Sequence, residues 1–328
     1  MDRNAPTMHA IRIHQTGEPE VMKYEALPIP ELKPDEVLVK IKAIGVNFID
    51  IYIRSGLYPH SLPLTLGMEG AGIVDAVGRD VKNFKSGDRV AWSGIPGSYA
   101  SHLVARAERL VPLPANIDFE QAAAAMLQGM TAHYLVQGAY QLKKGDTCLV
   151  HAAAGGVGLL LCQVAKMLGA LVIGTVSSDE KAKLAREAGA DEIIVYTRED
   201  FVTKVKKITK DKGVNVVYDA VGKDTFYGSL DSLAIRGMLV SYGQASGKIA
   251  PLDVGLLIGK SLFLTRPSLF DYTATREELL QRANEVFAWI ISGKLTLKID
   301  DHYSLQQAAE AHHALAGRKT TGKVLLIP

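Results

Sequence analysis

The sequence predicts an α/β protein in which a doubly wound parallel sheet is joined to a compact β-rich domain. Two observations predict the sheet. Between about Thr131 and Thr265, short apolar strands alternate with amphipathic helices, as in a parallel sheet covered on both faces. Within this segment, the run from Cys148 to Gly158 indicates a buried strand, a glycine turn and a helix start, which is the arrangement of a dinucleotide pyrophosphate site.

The chain before about residue 127 predicts the β-rich domain. Stretches such as Glu36 to Ala43 and Gly70 to Val77 alternate in polarity or favour β-branched residues, and Gly, Pro and Asp divide them. We therefore expect a compact, irregular domain of short strands ahead of the parallel sheet.

Six apolar segments predict the strands of the central sheet. The helix that follows the second strand shows how the boundaries are chosen: Ser178 can cap it, Asp179 and Glu180 suit its positive end, and Gly189 closes it. The predicted strands are Leu149 to Ala152, Leu171 to Val176, Ile193 to Tyr196, Val214 to Asp219, Met238 to Tyr242 and Leu262 to Thr265.

The residues after Thr265 predict a tail that returns to the first domain. A long amphipathic segment from Arg276 to Ser292 is followed by a helical stretch from Leu305 and a strand from Lys323 to Ile327. Because the central sheet already has its six strands, we expect this tail to join the β-rich domain. The predicted domains are 1–127 with 269–328, and 128–268.

The glycine turn departs from the usual G-x-G-x-x-G pattern at one position. Ala153 holds the first glycine position, while Gly155 and Gly158 hold the other two. The alternative is an αβ turn that binds no ligand. Apolar residues at helical spacing follow the turn, Gly169 ends the predicted helix, and a second apolar strand comes next, so the context favours a dinucleotide site with Gly155, Gly156 and Val157 at the phosphates.

The end of the second strand predicts which dinucleotide is bound. Sites for NAD usually carry Asp or Glu there to accept a hydrogen bond from the ribose 2′-hydroxyl. This chain has Ser177 and Ser178 instead, with Lys181 one turn further on. Two hydroxyls and a positive charge favour a 2′-phosphate, so we expect NADPH. The alternative is that Lys181 is simply a solvated helix lysine.

Composition and charge argue against a nucleic-acid-binding function. The 328 residues carry a formal net charge of +2, with 22% charged residues, which is not typical of a nucleic-acid-binding surface. One basic cluster is the solvated side of a predicted helix whose buried side is Phe201, Val205 and Ile208. Its members are Lys204, Lys206, Lys207, Lys210 and Lys212.

The cysteines and the hydropathy predict a cytoplasmic protein. Cys148 and Cys162 lie among apolar neighbours and are expected to be reduced core thiols, and two cysteines cannot build a disulfide framework or a cysteine zinc cluster. The chain opens with a polar segment and never reaches the apolar run of about 18 residues needed to cross a bilayer.

Five motifs, which span essentially the whole chain, carry a resemblance to a known superfamily. They are GVNFID at 45–50, YIRSGLY at 52–58, GMEGAG at 67–72, KSGDRV at 85–90 and AAAGGVG at 152–158. Together they resemble the medium-chain dehydrogenase/reductase superfamily, and within it the zinc-free NADPH:quinone oxidoreductases related to ζ-crystallin. The resemblance implies a GroES-like substrate domain from both ends of the chain, a Rossmann cofactor domain, and an active site in the cleft between them.

The chain departs from the zinc alcohol dehydrogenases of that superfamily at the metal site. Asn47 and Met68 occupy the positions of a cysteine and a histidine ligand, and an amide and a thioether do not replace thiolate and imidazole on zinc. The four cysteines of the structural zinc lobe are also missing. His312 and His313 are adjacent, so they point away from each other on a helix, and we expect surface or cap histidines. We expect no metal.

A site without zinc requires an acceptor that is already electrophilic, such as a quinone or a conjugated carbonyl. The protein then supplies a hydrogen-bond donor to the carbonyl oxygen that gains charge. Asn47 and Tyr52 are the candidates for this catalytic role, with Tyr58 nearby, and the alternative is that the two tyrosines only pack under the domain.

The resemblance also implies further contacts to the cofactor. It places Tyr196 at the adenosine side, and Arg318, in the segment 317–322, beside the 2′-phosphate. The remaining residues that we assign to the NADPH site are Asn47, Thr131, Tyr134, Gly243 and Gln244.

The leading function is therefore NADPH-dependent quinone reduction, with one-electron and two-electron transfer both open. The alternatives are an enal or enone reductase, or a nucleotide-binding crystallin-like protein with an RNA-binding role, against which the lack of a basic patch argues. We also expect a homodimer, because Leu262 to Thr265 would form an apolar edge strand that pairing with a second copy would cover.

Overall fold

The structure is a computed structural model and describes residues 6–328. The N-terminal part contains short antiparallel strands and two helices. The strands are β1 (Thr7–Ile13), β2 (Met22–Pro28), β3 (Glu36–Val46), β4 (Leu64–Thr65), β5 (Glu69–Val77), β6 (Arg89–Ser93), β7 (His102–Arg106) and β8 (Val111–Pro112), and the helices are α1 (Phe48–Arg54) and α2 (Phe119–Tyr134).

The central part alternates strands with helices, as the sequence predicts. The strands are β9 (Thr147–Val150), β10 (Leu171–Val176), β11 (Glu192–Val195), β12 (Val214–Asp219), β13 (Leu233–Ser241) and β14 (Phe263–Thr265). The helices between them are α3 (Gly156–Met167), α4 (Asp179–Glu187), α5 (Phe201–Thr209) and α6 (Phe226–Ser232).

The C-terminal part contains α7 (Arg276–Ile291), β15 (Ile299–Ser304), α8 (Ala308–Ala316) and β16 (Lys323–Ile327). One π-helical turn, Leu135–Ala139, follows α2. Short 3-10 turns lie at Pro19–Val21, Ala107–Arg109, Val254–Lys260, Asp271–Thr273 and Leu305–Gln307.

The chain divides into two compact units. Within the described residues, unit 1 comprises 6–127, Ala274–Ile291 and Leu297–Pro328, and unit 2 comprises Gln128–Thr273 and Ser292–Thr296. The predicted boundary between 268 and 269 therefore falls before the division at Ala274. The first five residues of the predicted segment 1–127 lie outside the described residues.

Unit 2 is built on a six-stranded parallel sheet with the order β11-β10-β9-β12-β13-β14. The predicted α/β fold class is confirmed by this doubly wound sheet. Its strands are apolar on both faces, and Leu149, Ile173, Val217 and Leu239 are fully buried in one core. The strand order reverses at β9 and β12, which is where such sheets bind their ligands.

Strands β11 and β14 differ from their predicted bounds by one residue, and β9 and β13 differ by more, for reasons of backbone geometry. Strand β9 ends at Val150 because Ala152 has a φ of 53° and already belongs to the turn. Strand β13 begins at Leu233, before the predicted Met238, and passes through Arg236, whose φ is 61°. A local irregularity of this kind leaves no periodic signal in the sequence.

Unit 1 contains a seven-stranded sheet with the path β15-β16-β3-β5-β6-β8, and β7 also pairs with β3. A second sheet has the order β2-β1-β4. The predicted β-rich character of this part of the chain is confirmed. The last strand pairs with β3 in antiparallel register, with Val324 opposite Val46, so the tail joins the N-terminal sheet.

The two adjacent histidines have different environments. His313 is exposed and pairs with Glu20, as a surface histidine does. The prediction that His312 is a surface or cap residue is wrong, because its side chain is fully buried. It lies four residues after Ala308 on the buried face of α8, and that spacing is the signal that would have placed it inside.

The other predictions on helices and thiols agree with the structure. Cys148 and Cys162 are buried free cysteines. The lysine-rich helix is α5, which buries Val205, but it ends at Thr209, so Lys210 and Lys212 lie beyond it. No helix among residues 6–328 is both long enough and apolar enough to span a bilayer.

Candidate active site

The glycine turn of unit 2 packs closely against the start of α3. Gly155 precedes the first residue of α3, and its N–H donates to the carbonyl of Ala152 at 2.8 Å. A Cβ on Gly158 would lie 2.2 Å from that same carbonyl oxygen. Only glycine fits at position 158 without moving the turn. The free amides at the start of α3 and the helix dipole favour an anion there.

The alanine at the first glycine position is compensated by a glycine on the neighbouring strand. Ala153 is fully buried, and its N–H donates to the carbonyl of Thr175 at 3.0 Å. A Cβ on Gly174 would lie only 2.8 Å from the Cβ of Ala153. The methyl group of Ala153 thus fills the space that Gly174 leaves, and the turn keeps its shape despite the departure from the usual pattern.

Behind the turn, a buried network holds the ends of three strands. His151 contacts Thr175 Oγ1 at 2.9 Å through Nδ1 and Ser229 Oγ at 3.0 Å through Nε2. Burial lowers the pKa of His151, so the ring is neutral and acts as a crosslink. Asp219, at the end of β12, accepts hydrogen bonds from the N–H groups of Val221 and Gly222 at 2.8 and 3.0 Å and orders the loop that follows.

The predicted 2′-phosphate residues lie at the end of β10 and the start of α4. The hydroxyl of Ser178 accepts the N–H of Lys181 at 3.4 Å and caps α4, so Ser178 has a structural task besides the predicted one. Sequence reasoning missed Arg198, whose guanidinium forms two hydrogen bonds with Asp179, at 2.9 and 2.5 Å. This pair offsets the charge of an acidic residue beside the predicted phosphate contacts.

Tyr196 and Ser177 border the same region. The N–H of Tyr196 donates to the carbonyl of Val176 at 3.0 Å, and its ring is half exposed. The hydroxyl of Thr197 donates to the carbonyl of Ser177 at 3.1 Å. These contacts place both residues at the carboxyl ends of β10 and β11, the edge of a parallel sheet at which ligands bind.

Gly243 and Gln244 follow β13 at the same edge of the sheet. A Cβ on Gly243 would lie 2.5 Å from the carbonyl oxygen of Ala220, so glycine is required there too. Arg266, which sequence reasoning missed, follows β14 and donates to the carbonyls of Ser241 and Gly243 at 3.1 and 2.8 Å. Its position directly after a strand of the parallel sheet is the signal that would have found it.

Thr131 and Tyr134 lie on the last turns of α2 and are buried. The ring of Tyr134 stacks on Tyr272, with centroids 4.6 Å apart and an angle of 14° between the planes. Burial raises the pKa of Tyr134, so its hydroxyl stays protonated.

In unit 1, helix α1 carries Tyr52, and the other two predicted catalytic residues flank it, Asn47 before the helix and Tyr58 after it. Asp50 and Arg54 are four residues apart on one face, and Phe48 and Tyr52 are four apart on the other. Asn47 precedes the first residue of α1, and its backbone N–H donates to Asp50 Oδ2 at 2.8 Å. As the residue before a helix, Asn47 has an extended backbone, and this conformation together with the hydrogen bond to Asp50 fixes its backbone orientation.

The side chain of Asn47 belongs to a buried cluster with Glu69 and Lys323. Its Nδ2 donates to Glu69 Oε2 at 2.8 Å and to the carbonyl of Gly45 at 3.2 Å. Its Oδ1 accepts from Lys323 Nζ at 2.9 Å, and because ammonium only donates, this contact settles the orientation of the amide. Both amide hydrogens of Asn47 are therefore engaged within unit 1.

Glu69 and Lys323 form a buried ion pair that sequence reasoning missed. Their side chains are 0% and 2% exposed. Lys323 Nζ donates to Glu69 Oε2, and Glu69 Oε1 accepts the N–H of Leu127 at 2.5 Å. A Cβ on Gly45 would lie 2.2 Å from Glu69 Oε2, so the carboxylate is packed against the β3 backbone and cannot move away from its partners.

Tyr52 and Tyr58 pack against each other, with ring centroids 5.2 Å apart in an edge-on arrangement. Tyr52 also contacts Phe48, with centroids 6.1 Å apart. The N–H of Tyr58 donates to the carbonyl of Tyr52 at 3.0 Å, which fixes the turn after α1. These contacts agree with the alternative that the two tyrosines only pack under the domain. Their catalytic role stays a prediction.

The residues at the positions of zinc ligands are Asn47 and Met68. Met68 is buried beside Glu69, and its carbonyl accepts the N–H of Gly94 at 2.7 Å. Among residues 6–328, no group of three or more His, Cys, Asp or Glu side chains is placed to hold a metal ion.

Arg318, predicted to lie beside the 2′-phosphate, has a φ of 56° in the turn after α8.

Comparison with known proteins identifies the family. Residues 33–115 match a family described as alcohol dehydrogenase GroES-like domain, and residues 156–285 match one described as zinc-binding dehydrogenase. A quinone oxidoreductase of Pseudomonas aeruginosa is 51% identical over 315 residues, which cover 95% of this chain and 97% of the relative. This chain belongs to the quinone oxidoreductase family. That family lies within the medium-chain dehydrogenase/reductase superfamily, as the motifs indicated.

Solved structures of the family have the same fold. The crystal structure of Escherichia coli quinone oxidoreductase complexed with NADPH is 48% identical, has a TM-score of 0.96, and covers 98% of this chain and 100% of that one. A 2-haloacrylate reductase from Burkholderia is 41% identical over 326 residues, covering 96% of this chain and 98% of the relative. The family thus includes a reductase named for a conjugated acid.

Proposed function

We propose that this chain is an NADPH-dependent quinone reductase that works without zinc. The observation that carries the proposal is the glycine turn with Ser177, Ser178 and Lys181 in place of an acidic strand end, in a chain whose relatives at about half identity are quinone oxidoreductases. The glycine at 158 lets α3 begin directly against the turn, since a Cβ there would lie 2.2 Å from the Ala152 carbonyl oxygen, and the start of a helix favours a pyrophosphate.

The residues of this chain divide the task between binding and polarisation. The amides at the start of α3 bind the pyrophosphate, and Lys181 neutralises the 2′-phosphate. Bound NADPH supplies the reducing equivalents. Tyr52 donates a hydrogen bond to the carbonyl oxygen that gains charge. We prefer Tyr52 to Asn47 as this donor, because both amide hydrogens of Asn47 are donated to Glu69 and Gly45.

Zinc independence rests on the donor atoms at the two ligand positions. Asn47 supplies an amide already bonded to Lys323, and Met68 supplies a thioether, neither of which is a usual zinc ligand. An ammonium group at Lys323 beside these positions also disfavours a second cation. We therefore propose that quinone reduction proceeds with hydrogen-bond assistance alone.

Reduction of a conjugated carbonyl is the second candidate. The observation that favours it is the 2-haloacrylate reductase, which is similar to this chain over nearly its whole length. A conjugated carbonyl, like a quinone, places the developing charge on an oxygen that Tyr52 can stabilise.

One panel of acceptors separates these functions. NADPH oxidation is followed with benzoquinones, naphthoquinones, enones, 2-haloacrylate and simple ketones, each with and without a chelator. We expect quinones to be the fastest acceptors and the chelator to have no effect. Faster turnover of an enone or of haloacrylate than of every quinone establishes the second function instead, and loss of activity with chelator overturns zinc independence.

We also propose that the protein forms a homodimer through β14. Phe263 is 55% exposed, and β14 pairs with β13 on one side only within the described residues. Val254 and Ile258, in the 3-10 turn before β14, are exposed as well. A bare apolar edge favours pairing with its own copy, which satisfies the backbone groups of both strands and covers these side chains.

A cytoplasmic location completes the proposal. It is supported by Cys148 and Cys162, which are free thiols in the core. Proteins of reducing compartments retain unpaired cysteines of this kind. Fractionation of cells that produce the protein tests the location directly.

A further inference from the structure

Four buried polar side chains of unit 1 form a continuous hydrogen-bonded chain. Arg54 Nη1 lies 3.3 Å from His312 Nδ1, His312 Nε2 lies 2.9 Å from Tyr99 Oη, and Tyr99 Oη donates to Asp50 Oδ2 at 3.0 Å. Asp50 Oδ2 also accepts the backbone N–H of Asn47 at 2.8 Å. All five residues are at most 3% exposed, and the proposed reaction does not use the four side chains of the chain.

The direction of every hydrogen bond in the chain is determined by Arg54. A guanidinium group only donates, so Nδ1 of His312 must accept. Burial and the nearby charge of Arg54 lower the pKa of His312 to about 3, and the neutral ring then carries its hydrogen on Nε2. That hydrogen is donated to the Tyr99 oxygen, which leaves the Tyr99 hydrogen for Asp50 Oδ2. While Asp50 is ionised, each group in the hydrogen-bonded chain has a single role as donor or acceptor at each contact.

The arginine is itself held in place at the far end of the chain. Its Nε donates to the carbonyl of Gly17 at 3.1 Å, and Nη2 lies 3.9 Å from the exposed carboxylate of Glu18. Arg54 and Asp50 are one helical turn apart on α1, while Tyr99 and His312 are distant from them in the sequence. The hydrogen-bonded chain therefore connects α1 to α8 and to the segment after β6.

We propose that the Arg54–His312–Tyr99–Asp50 chain is a positioning device for Asn47, in which the Asp50 carboxylate receives the Asn47 N–H and the other three residues hold that carboxylate. The inference rests on the proposed function: Asn47 begins α1, and α1 carries Tyr52, the proposed hydrogen-bond donor, so the contact that fixes Asn47 also fixes the start of that helix. The Asn47 side chain is bound separately by Glu69 and Lys323. Asn47 is therefore held through its backbone N–H by Asp50 and through its side chain by Glu69 and Lys323.

Positioning by this chain makes the site sensitive to pH near neutrality. Burial raises the pKa of Asp50 to about 7 and nearby Glu69 adds to the rise, whereas the Asn47 N–H, the Tyr99 hydroxyl and Lys323 act in the opposite direction. The other titratable groups of the hydrogen-bonded chain near Asp50 are Arg54 and the neutral His312. Asp50 Oδ1 has no hydrogen-bond partner among the described residues, so a proton added there has no acceptor.

The sign of the pH effect follows from which form accepts hydrogen bonds. Above a pH of about 7 the ionised Asp50 carboxylate accepts both the Asn47 N–H and the Tyr99 hydroxyl through charge-assisted hydrogen bonds. As the pH falls through this range the carboxylate is neutralised and both bonds weaken. We expect the turnover number to fall on the acid side with the same midpoint.

Tyr99→Phe tests the chain by removing one hydroxyl group, which takes a donor from Asp50 Oδ2 and the acceptor from His312 Nε2. Loss of one hydrogen bond to the carboxylate raises the pKa of Asp50 by about one unit, so the acid limb of the kcat profile moves up by about one pH unit. At pH 7 the ionised fraction falls from about one half to about one tenth, so we expect a roughly fivefold lower kcat. Near pH 9 the variant and the wild type should differ little.

The matched control is Tyr218→Phe. Tyr218 is a fully buried tyrosine of β12 in unit 2, and its hydroxyl has no hydrogen-bond partner among the described residues. It should leave the pH profile of kcat unchanged. An unshifted acid limb in Tyr99→Phe, or an equal loss of kcat at every pH, would overturn the proposal, because a merely structural role has no reason to depend on Asp50 ionisation.

A second measurement does not depend on turnover. Infrared difference spectra recorded against pH follow the protonated carboxyl band of Asp50, which is assigned by its absence in Asp50→Asn. We expect its midpoint near pH 7 in the wild type and about one unit higher in Tyr99→Phe. Equal midpoints in the wild type and in Tyr99→Phe refute the proposed role of the hydrogen-bonded chain even if the enzyme is active. If the wild type reduces no quinone but the Asp50 midpoint is still higher in Tyr99→Phe, the proposed function is refuted and the role of the hydrogen-bonded chain stands.

Discussion

Replacing Lys323 by methionine measures how strongly the buried ion pair with Glu69 stabilises unit 1. Methionine has a similar length and no charge, so the substitution leaves the Glu69 carboxylate buried without its cation. Removing one partner of a buried pair typically costs about 3–5 kcal/mol, because the remaining charge keeps its desolvation penalty. The Asn47 Oδ1 atom loses its donor at the same time, which places the expected loss within this range rather than below it.

Thermal unfolding followed by circular dichroism is the assay. For a domain of about 150–250 residues, each kcal/mol lowers the midpoint by about 2–4 °C, so Lys323→Met should unfold roughly 6–20 °C below the wild type. The matched control is Lys298→Met in the same unit. The ammonium of Lys298 lies 3.8 Å from Asp300 and the two side chains are 40% and 20% exposed, so its loss should cost less than about 1 kcal/mol.

The double variant Lys323→Met/Glu69→Gln separates the orphaned charge from the lost packing. A neutral amide at position 69 removes the uncompensated carboxylate, and we expect it to recover about half of the lost stability, or roughly 2 kcal/mol. The reasoning fails if Lys323→Met unfolds within about 2 °C of the wild type, or if the double variant is less stable than the single one.

Four further predictions concern the cofactor, the chemistry and the assembly. Gly158→Ala should weaken NADPH binding at least about tenfold in a fluorescence titration, since the new Cβ would lie 2.2 Å from the Ala152 carbonyl, and an unchanged Kd contradicts the phosphate turn. Lys181→Ala should weaken NADPH by about tenfold but not NADH, and equal losses would remove Lys181 from the 2′-phosphate site. Tyr52→Phe should lower turnover by about tenfold to a hundredfold with little change in NADPH affinity, and unaltered turnover would leave Tyr52 as a packing residue. Phe263→Lys should convert a sedimenting dimer to a monomer, whereas a monomeric wild type at micromolar concentration rules out pairing through β14.

Local sequence patterns predicted most of the central sheet and its turn. Continuous apolar segments gave five of its six strands close to their observed bounds, and β13 differed because Arg236 interrupts it with a positive φ. Ala153 in the first glycine position weakened the motif in isolation. The structure explains it by a feature on another strand, since Gly174 leaves the space that the methyl group fills.

The polar groups of unit 1 were much less predictable. The sequence singled out Asn47 through a motif and a comparison of ligand positions, but it gave no reason to connect Asn47 with Lys323. His312 was assigned to the surface because adjacent histidines suggested no shared function. Its place on the buried face of α8 was readable from the spacing to Ala308, whereas its partners Tyr99 and Arg54 were not.

The sequence by itself determined the doubly wound sheet, the phosphate turn and the serines that favour NADPH, because each depends on residues close together in the chain. Only the tertiary structure decided the cluster around Asn47. Lys323 lies 254 positions from Glu69 and reaches it because β16 pairs with β3, which is a matter of strand order and register. Buried side chains that form a hydrogen bond must lie close together in space, but they need not follow any sequence pattern. Their partners can therefore be identified only from the folded structure.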